Sequence, residues 1–160
     1  MLEEILADFT TKTSLPPAVI FARLIGASII VAGIGFEREL QNRAAGLRTH
    51  MLVSLAAAMF SIISIEVVAN PHLADAQVRL DPLRVIEAVT AGVAFLAAGF
   101  IIFARGEVRN VTTGAGIWLA GAIGLSAGFG YWLIAVAAGV IGLVIMFVLR
   151  LVEKAASLKE

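Results

Sequence analysis

The sequence predicts an all-α integral membrane protein: five transmembrane helices with small-residue packing, preceded by a short N-terminal amphipathic helix at the interface. Three observations predict it. Sixty per cent of the 160 residues are apolar, 15% are charged and the mean hydropathy is +0.97, whereas a water-soluble domain carries roughly a quarter of charged residues. The charges fall in narrow bands that separate long apolar segments. Within those segments Gly and Ala recur every four residues, the spacing that lets membrane helices approach closely. The 12 basic and 12 acidic residues cancel, so no net field draws nucleic acid. The absence of cysteine excludes disulfides, thiolate metal sites and cysteine nucleophiles.

Residues 1–16 read as an interfacial segment. Leu2, Ile5, Leu6 and Phe9 share one helical face, which suits a helix lying on the bilayer. Met1-Leu2-Glu3-Glu4 is acidic where a signal peptide would be basic, so it is read as mature sequence. The transmembrane domain is expected over 17–152, with spans at about 18–36, 49–69, 83–104, 114–128 and 131–150, and a short tail over 153–160. Pro16-Pro17 opens the first span and Asp81-Pro82 the third, a capping carboxylate followed by a proline suited to a first helical turn.

From Gly114 to Leu149 there is no charge. A single helix over that stretch would reach about 54 Å, well beyond a hydrocarbon core of about 30 Å. The chain is therefore expected to fold back near Gly128-Phe129-Gly130, with Tyr131 and Trp132 at headgroup level. Charge bias supports five spans over four. Five spans collect Arg38, Arg43, Arg48, Arg105, Arg109, Arg150, Lys154 and Lys159 on one side, against Lys12, Arg79 and Arg84 on the other. Four spans leave the two sides nearly equal. The positive-inside rule then puts the N-terminus outside and the C-terminus in the cytoplasm.

The fourth span carries a stripe of Gly116, Ala120, Gly124 and Gly128. Ala18, Ala22 and Gly26 form one in the first span, and Ala135 and Gly139 in the fifth. Such faces serve packing within the chain, the favoured use here, or a homodimer. Ile123, about 100° round the helix from Gly124, is expected to tolerate bulk better.

No phosphate-binding glycine loop, H-E-x-x-H or G-x-S-x-G is present, and the protein is not expected to be an enzyme or to hold a metal or cofactor. His50 and His72 fall on opposite sides of the membrane in the five-span arrangement, and each is read as a loop or interface residue. Ionisable groups within spans are costly unless paired, so they are the candidate functional residues. An outer cluster comprises Arg23, Glu66, Asp81, Arg84 and Glu87. Arg23 is expected to pair with Glu87, with Glu66 as a second carboxylate at a similar depth. Asp81 equally reads as a helix cap, and Glu66 is close enough to its helix end to reach water. An inner motif comprises Glu37, Arg38, Glu39, Arg48, Thr49, His50, Arg105, Arg109, Thr112 and Thr113. For Arg84, Arg38 and Arg48 the competing reading is topology-setting charge at an interface. Thr112 and Thr113 read first as caps of the fourth helix. Gly26, Gly116, Gly124 and Gly128 are the candidate packing residues.

Gly33-Ile34-Gly35-Phe36-Glu37-Arg38-Glu39, followed by Ala45-Gly46-Leu47-Arg48-Thr49-His50, resembles the signature of the MgtC/SapB family of bacterial inner-membrane proteins. Asp81-Pro82-Leu83-Arg84, Gly92, Phe95-Leu96-Ala97-Ala98-Gly99, Val108-Arg109, Thr112-Thr113, Trp118 and Gly124 continue the match. The resemblance implies a cytoplasmic-membrane protein linked to growth at low Mg²⁺, acid-stress adaptation and virulence. In the best-studied branch it implies contact with the F-type ATP synthase. Virulence-type members carry a soluble domain after the membrane part, and this chain stops within about ten residues of its last expected span. Asn110, Val111 and Gly114 also stand where the family more often shows Gly, Leu and Ala.

Two functions compete. One is a regulator whose partners are the lipid bilayer and other membrane proteins, bound through small-residue helix faces. The other is a carrier or channel for Mg²⁺ or protons, with Glu37 and Glu39, or Glu66 and Glu87, as candidate ligands. A carrier often shows inverted repeats, and none is convincing here, so the regulator is favoured.

Overall fold

The computed structural model describes residues 1–3, 13–70, 81–104 and 107–157. Most of the amphipathic N-terminal segment, His72 and Arg105 lie outside them. Among the described residues five long helices make up the fold: α1 (Pro17–Leu40), α2 (Leu47–Ala69), α3 (Pro82–Phe100), α4 (Val111–Gly128) and α5 (Trp132–Ser157). The first four are each long and apolar enough to cross a membrane, and α5 contributes the apolar stretch Trp132–Val148. This is an all-α, multi-pass membrane protein.

Local chemistry sets the helix ends. Pro17 and Pro82 take the first turns of α1 and α3, where a missing N–H costs nothing. The Asp81 carboxylate accepts from the Leu83 N–H at 2.9 Å, so its capping role is the one the structure displays. At the end of α1, Asn42 adopts a left-handed φ of 52°. The Asn42 and Arg43 N–H groups then return to the Glu39 and Arg38 carbonyls at 3.0 and 3.1 Å, a Schellman turn that reverses the chain into α2.

The third helix departs from expectation at its end. It stops at Phe100 rather than continuing to Ala104. Ile102–Ala104 pairs antiparallel with Glu107–Arg109 as a small ribbon, β1–β2. Asn110, at φ 65°, donates from its side-chain amide to the Phe100 carbonyl at 3.1 Å, closing the ribbon under the helix end. The β-branched and aromatic run Ile101-Ile102-Phe103 suits the extended backbone. Asn110 also occupies the N-cap position of α4, which starts at Val111. Thr112 and Thr113 thus lie inside the first turn and do not cap it.

The charge-free stretch folds back between Gly128 and Trp132. Gly130, at φ +87°, is the left-handed residue of a second Schellman turn. The Gly130 and Tyr131 N–H groups donate to the Ala127 and Ser126 carbonyls at 3.0 and 2.8 Å.

The core is centred on α4, which packs parallel to α2 and also meets α1, α3 and α5. A Cβ on Gly124 would lie 2.3 Å from the Ser54 carbonyl oxygen, and one on Gly128 2.5 Å from that of Ala58. Backbone meets backbone along this stripe, as the four-residue spacing predicted. Gly26 serves a different neighbour, the Trp132 ring, at 2.5 Å from a Cβ placed there. Ile123, expected to tolerate bulk better than Gly124, is itself fully buried among the neighbouring helices. The open side of α4 is the one that carries Ala115 and the half-exposed Trp118.

Helix α3 is the opposite case. Ala97 is its one buried residue, and Cβ atoms on Gly92 or Gly99 would meet nothing within 4 Å.

Candidate functional site

The outer cluster does not form the ion pair expected of it. Arg23 Nη1 donates to the Gly128 carbonyl at 2.8 Å, at the end of α4. Its other η-nitrogen packs against Gly130, 2.7 Å from where a Cβ would sit, so the glycine is needed for this approach as well as for its φ. Glu87 is exposed on α3, and no ion pair joins it to Arg23. The physical reason is the supply of acceptors. The last carbonyls of a helix have no partner within it and carry the negative end of its dipole. A guanidinium beside one satisfies both needs without a second buried charge.

Glu66 is likewise engaged with backbone. Its two oxygens accept from the Ser14 and Leu15 N–H groups at 2.6 and 3.0 Å, tying the segment before α1 to the end of α2. Arg84 is exposed at the mouth of an apolar cavity of about 500 Å³ between α2 and α3, lined by Val53, Ala57, Phe60, Val89 and Gly92. The five residues of the outer cluster therefore share an end of the bundle but not a common site.

The inner motif is more concentrated. Glu37 and Arg38, on the last turn of α1, are 9% and 4% exposed. Arg38 Nε donates to one Glu37 oxygen at 2.5 Å, and the Gln41 side-chain amide donates to the other. Glu39 points the other way and accepts from the Leu47 N–H at 2.9 Å, so it serves the orphan donors at the start of α2. The E-R-E block thus divides its two carboxylates between an ion pair and a helix start.

His50 corrects its reading as a loop or interface residue: it is wholly buried in α2. The Gly35 and Gly116 backbones come close enough to enclose it. A Cβ on Gly35 would lie 3.2 Å from His50 Cβ, and one on Gly116 would lie 3.0 Å from His50 Nε2. Nδ1 lies 2.8 Å from the Gly46 carbonyl, while Nε2 is buried with no partner among the described residues. A Nδ1–H donated to Gly46 leaves Nε2 as an acceptor facing the α4 backbone. Thr113 is buried in the first turn of α4, whereas Arg48, Arg109 and Thr112 are exposed and Thr49 is half-buried.

Several engaged residues are uncharged and so carry no mark in the sequence. Ser54 Oγ in α2 donates to the Ala27 carbonyl of α1 at 2.9 Å, and Ser61 Oγ lies 3.2 Å from the Leu125 carbonyl of α4. Gln41, Arg43 and Arg150 join Arg38 around a cavity at the arginine-rich end. In the sequence Arg43 and Arg150 carry only a topology signal, and their shared membrane level is the clue to their meeting.

A multi-pass helical membrane protein with backbone-close packing and buried polar groups near its ends is the class defined by this architecture. The chain belongs to the MgtC family, whose model matches residues 24–155. It is 37% identical over 124 residues to YhiD of Escherichia coli K12, covering 78% of this chain and 57% of that protein. It is 39% identical over 116 residues to protein MgtC of Brucella abortus, covering 72% and 44%. It is 36% identical over 108 residues to protein SapB of Bacillus subtilis, covering 66% and 46%. The chain spans about half the length of the curated relatives it matches. No solved structure matches it.

Proposed function

We propose that this protein is a non-enzymatic regulator in a bacterial cytoplasmic membrane, serving adaptation to low Mg²⁺ or acid stress by docking α3 against a helix of another membrane protein. The F-type ATP synthase is the partner expected for the family. The observation that carries this reading is the exposure of α3. Nineteen apolar-rich residues contribute one buried side chain, and Gly92 and Gly99 leave room for another backbone to approach. The family's connection with Mg²⁺ supports the physiological setting. The eight-to-three arginine and lysine bias supports an N-terminus outside and a C-terminus in the cytoplasm.

The competing reading is ion transport. It has the support of the YhiD relative, whose name connects it with magnesium transport, and of Glu87, a membrane-level carboxylate with no ion pair among the described residues. Against it, Glu37, Glu39 and Glu66 are each committed to protein donors, leaving Glu87 apart from the other candidate ligands.

Complementation of growth at low Mg²⁺ tests the regulator. Gly92→Leu should abolish rescue while leaving protein level and thermal stability unchanged. Purified wild-type protein in sealed liposomes should give no Mg²⁺ or proton flux above empty vesicles. Flux that disappears in Glu87→Gln, with growth rescue intact in Gly92→Leu, would establish transport instead.

A further inference from the structure

At the arginine-rich end, the last turn of α1, the start of α4 and the distal part of α5 enclose a cavity of about 240 Å³. Its rim carries Arg38, Gln41, Arg43, Thr112 and Arg150, and its floor is Gly116, Leu119, Gly142 and Met146. Among the described residues no carboxylate lines it. Glu37, beside Arg38, has both oxygens occupied, by Arg38 Nε and the Gln41 amide. It therefore orients these two donors without filling the space.

Arg38 is the informative member. Its side chain is 5% exposed, and no hydrogen bond from its η-nitrogens reaches another described residue. Glu37 engages Nε alone, so the two η-nitrogens of this cavity-lining residue remain open to a second anion, and the planar fork of a guanidinium matches the oxygens of a phosphate. The Schellman turn at Asn42 brings Arg43 back over the end of α1, where its Nε donates to Gln41 at 3.2 Å. Arg150 adds a third cation from α5. The Thr112 hydroxyl supplies a neutral donor.

We infer that this cavity binds the phosphate group of an anion, either the phosphodiester of an anionic phospholipid or free inorganic phosphate. Three arginines at the rim supply the charge, and basic pockets between helices at a membrane surface commonly hold lipid headgroups. The volume is about eight times the ~30 Å³ that one water takes in the liquid. That is room for a phosphodiester and its first carbons, with the apolar floor continuing towards the bilayer interior. The inference concerns the α1–α4–α5 end and does not depend on what α3 docks.

The test uses the full chain, purified in a detergent with an uncharged headgroup, and follows thermal unfolding. One arm adds phosphatidylglycerol against phosphatidylcholine, and the other adds inorganic phosphate against chloride at equal ionic strength. The unfolding midpoint should rise with phosphatidylglycerol but not with phosphatidylcholine. A matching rise with inorganic phosphate would identify the free anion as a sufficient ligand, and none would identify the lipid. Arg43→Gln and Arg150→Gln should each leave the ligand-free midpoint near wild type and weaken apparent affinity about tenfold, the scale of one lost charge-assisted hydrogen bond. Arg48→Gln, at the same membrane level but off the cavity, should bind like wild type. Absence of a shift with both ligands would overturn the inference. So would equal losses in Arg43→Gln and Arg48→Gln, which would signify only general attraction to a basic surface.

Discussion

Arg23 Nη1 donates to the Gly128 carbonyl at 2.8 Å, joining two helices whose residues are 105 positions apart. The Schellman turn that follows satisfies the Ser126 and Ala127 carbonyls, and Phe129 N–H satisfies that of Leu125 at 3.0 Å. Arg23 takes the next one. The end of α4 is thereby completed by a side chain from α1. Arg23→Ala should lower stability in detergent by about 1–3 kcal/mol, the cost of an unsatisfied buried acceptor. Arg23→Lys should recover part of this. Glu87→Gln should not relieve the Arg23→Ala defect, and a double mutant more stable than Arg23→Ala would revive the ion pair.

Gly124 and Gly92 offer a contrast within one protein. The first faces the Ser54 carbonyl at a distance no Cβ tolerates, and the second faces open space. Gly124→Ala should destabilise by about 1–3 kcal/mol through overpacking. Gly92→Ala should leave stability unchanged or raise it by up to about 1 kcal/mol through helix propensity. Equal midpoints for the two variants would show that the α2–α4 contact has slack to spare.

Ser54 bridges α2 to α1 through the Ala27 carbonyl and is itself fully buried. Interhelical hydrogen bonds in membranes contribute about 0.6 kcal/mol on average, with a ceiling near 2. Ser54→Ala should fall in that range by unfolding in mixed micelles. Ser54→Val, which adds a methyl where Gly124 abuts the backbone, should cost more. If the valine variant is the more stable, the bridge matters less than the volume.

The Glu66 carboxylate holds the Ser14 and Leu15 amides from across the chain. Glutamine retains only one acceptor oxygen. Hydrogen exchange at these two amides should accelerate in Glu66→Gln, with the amides of α4 unaffected. Unchanged exchange at Ser14 and Leu15 would mean that the segment is held by other contacts.

Topology is open to a direct check. A fluorescent protein that matures only in the cytoplasm should be bright after Glu160. A phosphatase that needs the periplasm should be active when inserted near Asp75. The reverse pattern at Glu160 would remove one crossing.

The sequence alone determined the class, the family and most helix limits. Membrane solvent imposes a length on apolar runs, prolines and an Asp-Pro step mark helix starts, and close backbone packing demands small residues at fixed spacing. Those constraints act locally, so Pro17, Asp81 and the Gly116–Gly128 stripe carry them in plain view. Partner choice among polar groups was left to the tertiary structure. Arg23 and Glu87 lie at similar depths and have opposite charges, yet Arg23 took a backbone carbonyl, an acceptor present at every residue and hence invisible as a pattern. Depth along a helix can be counted from the sequence. The angle at which each helix turns towards its neighbours, which buries most of α4 and leaves α3 exposed, is decided only when the packed helices settle their mutual contacts.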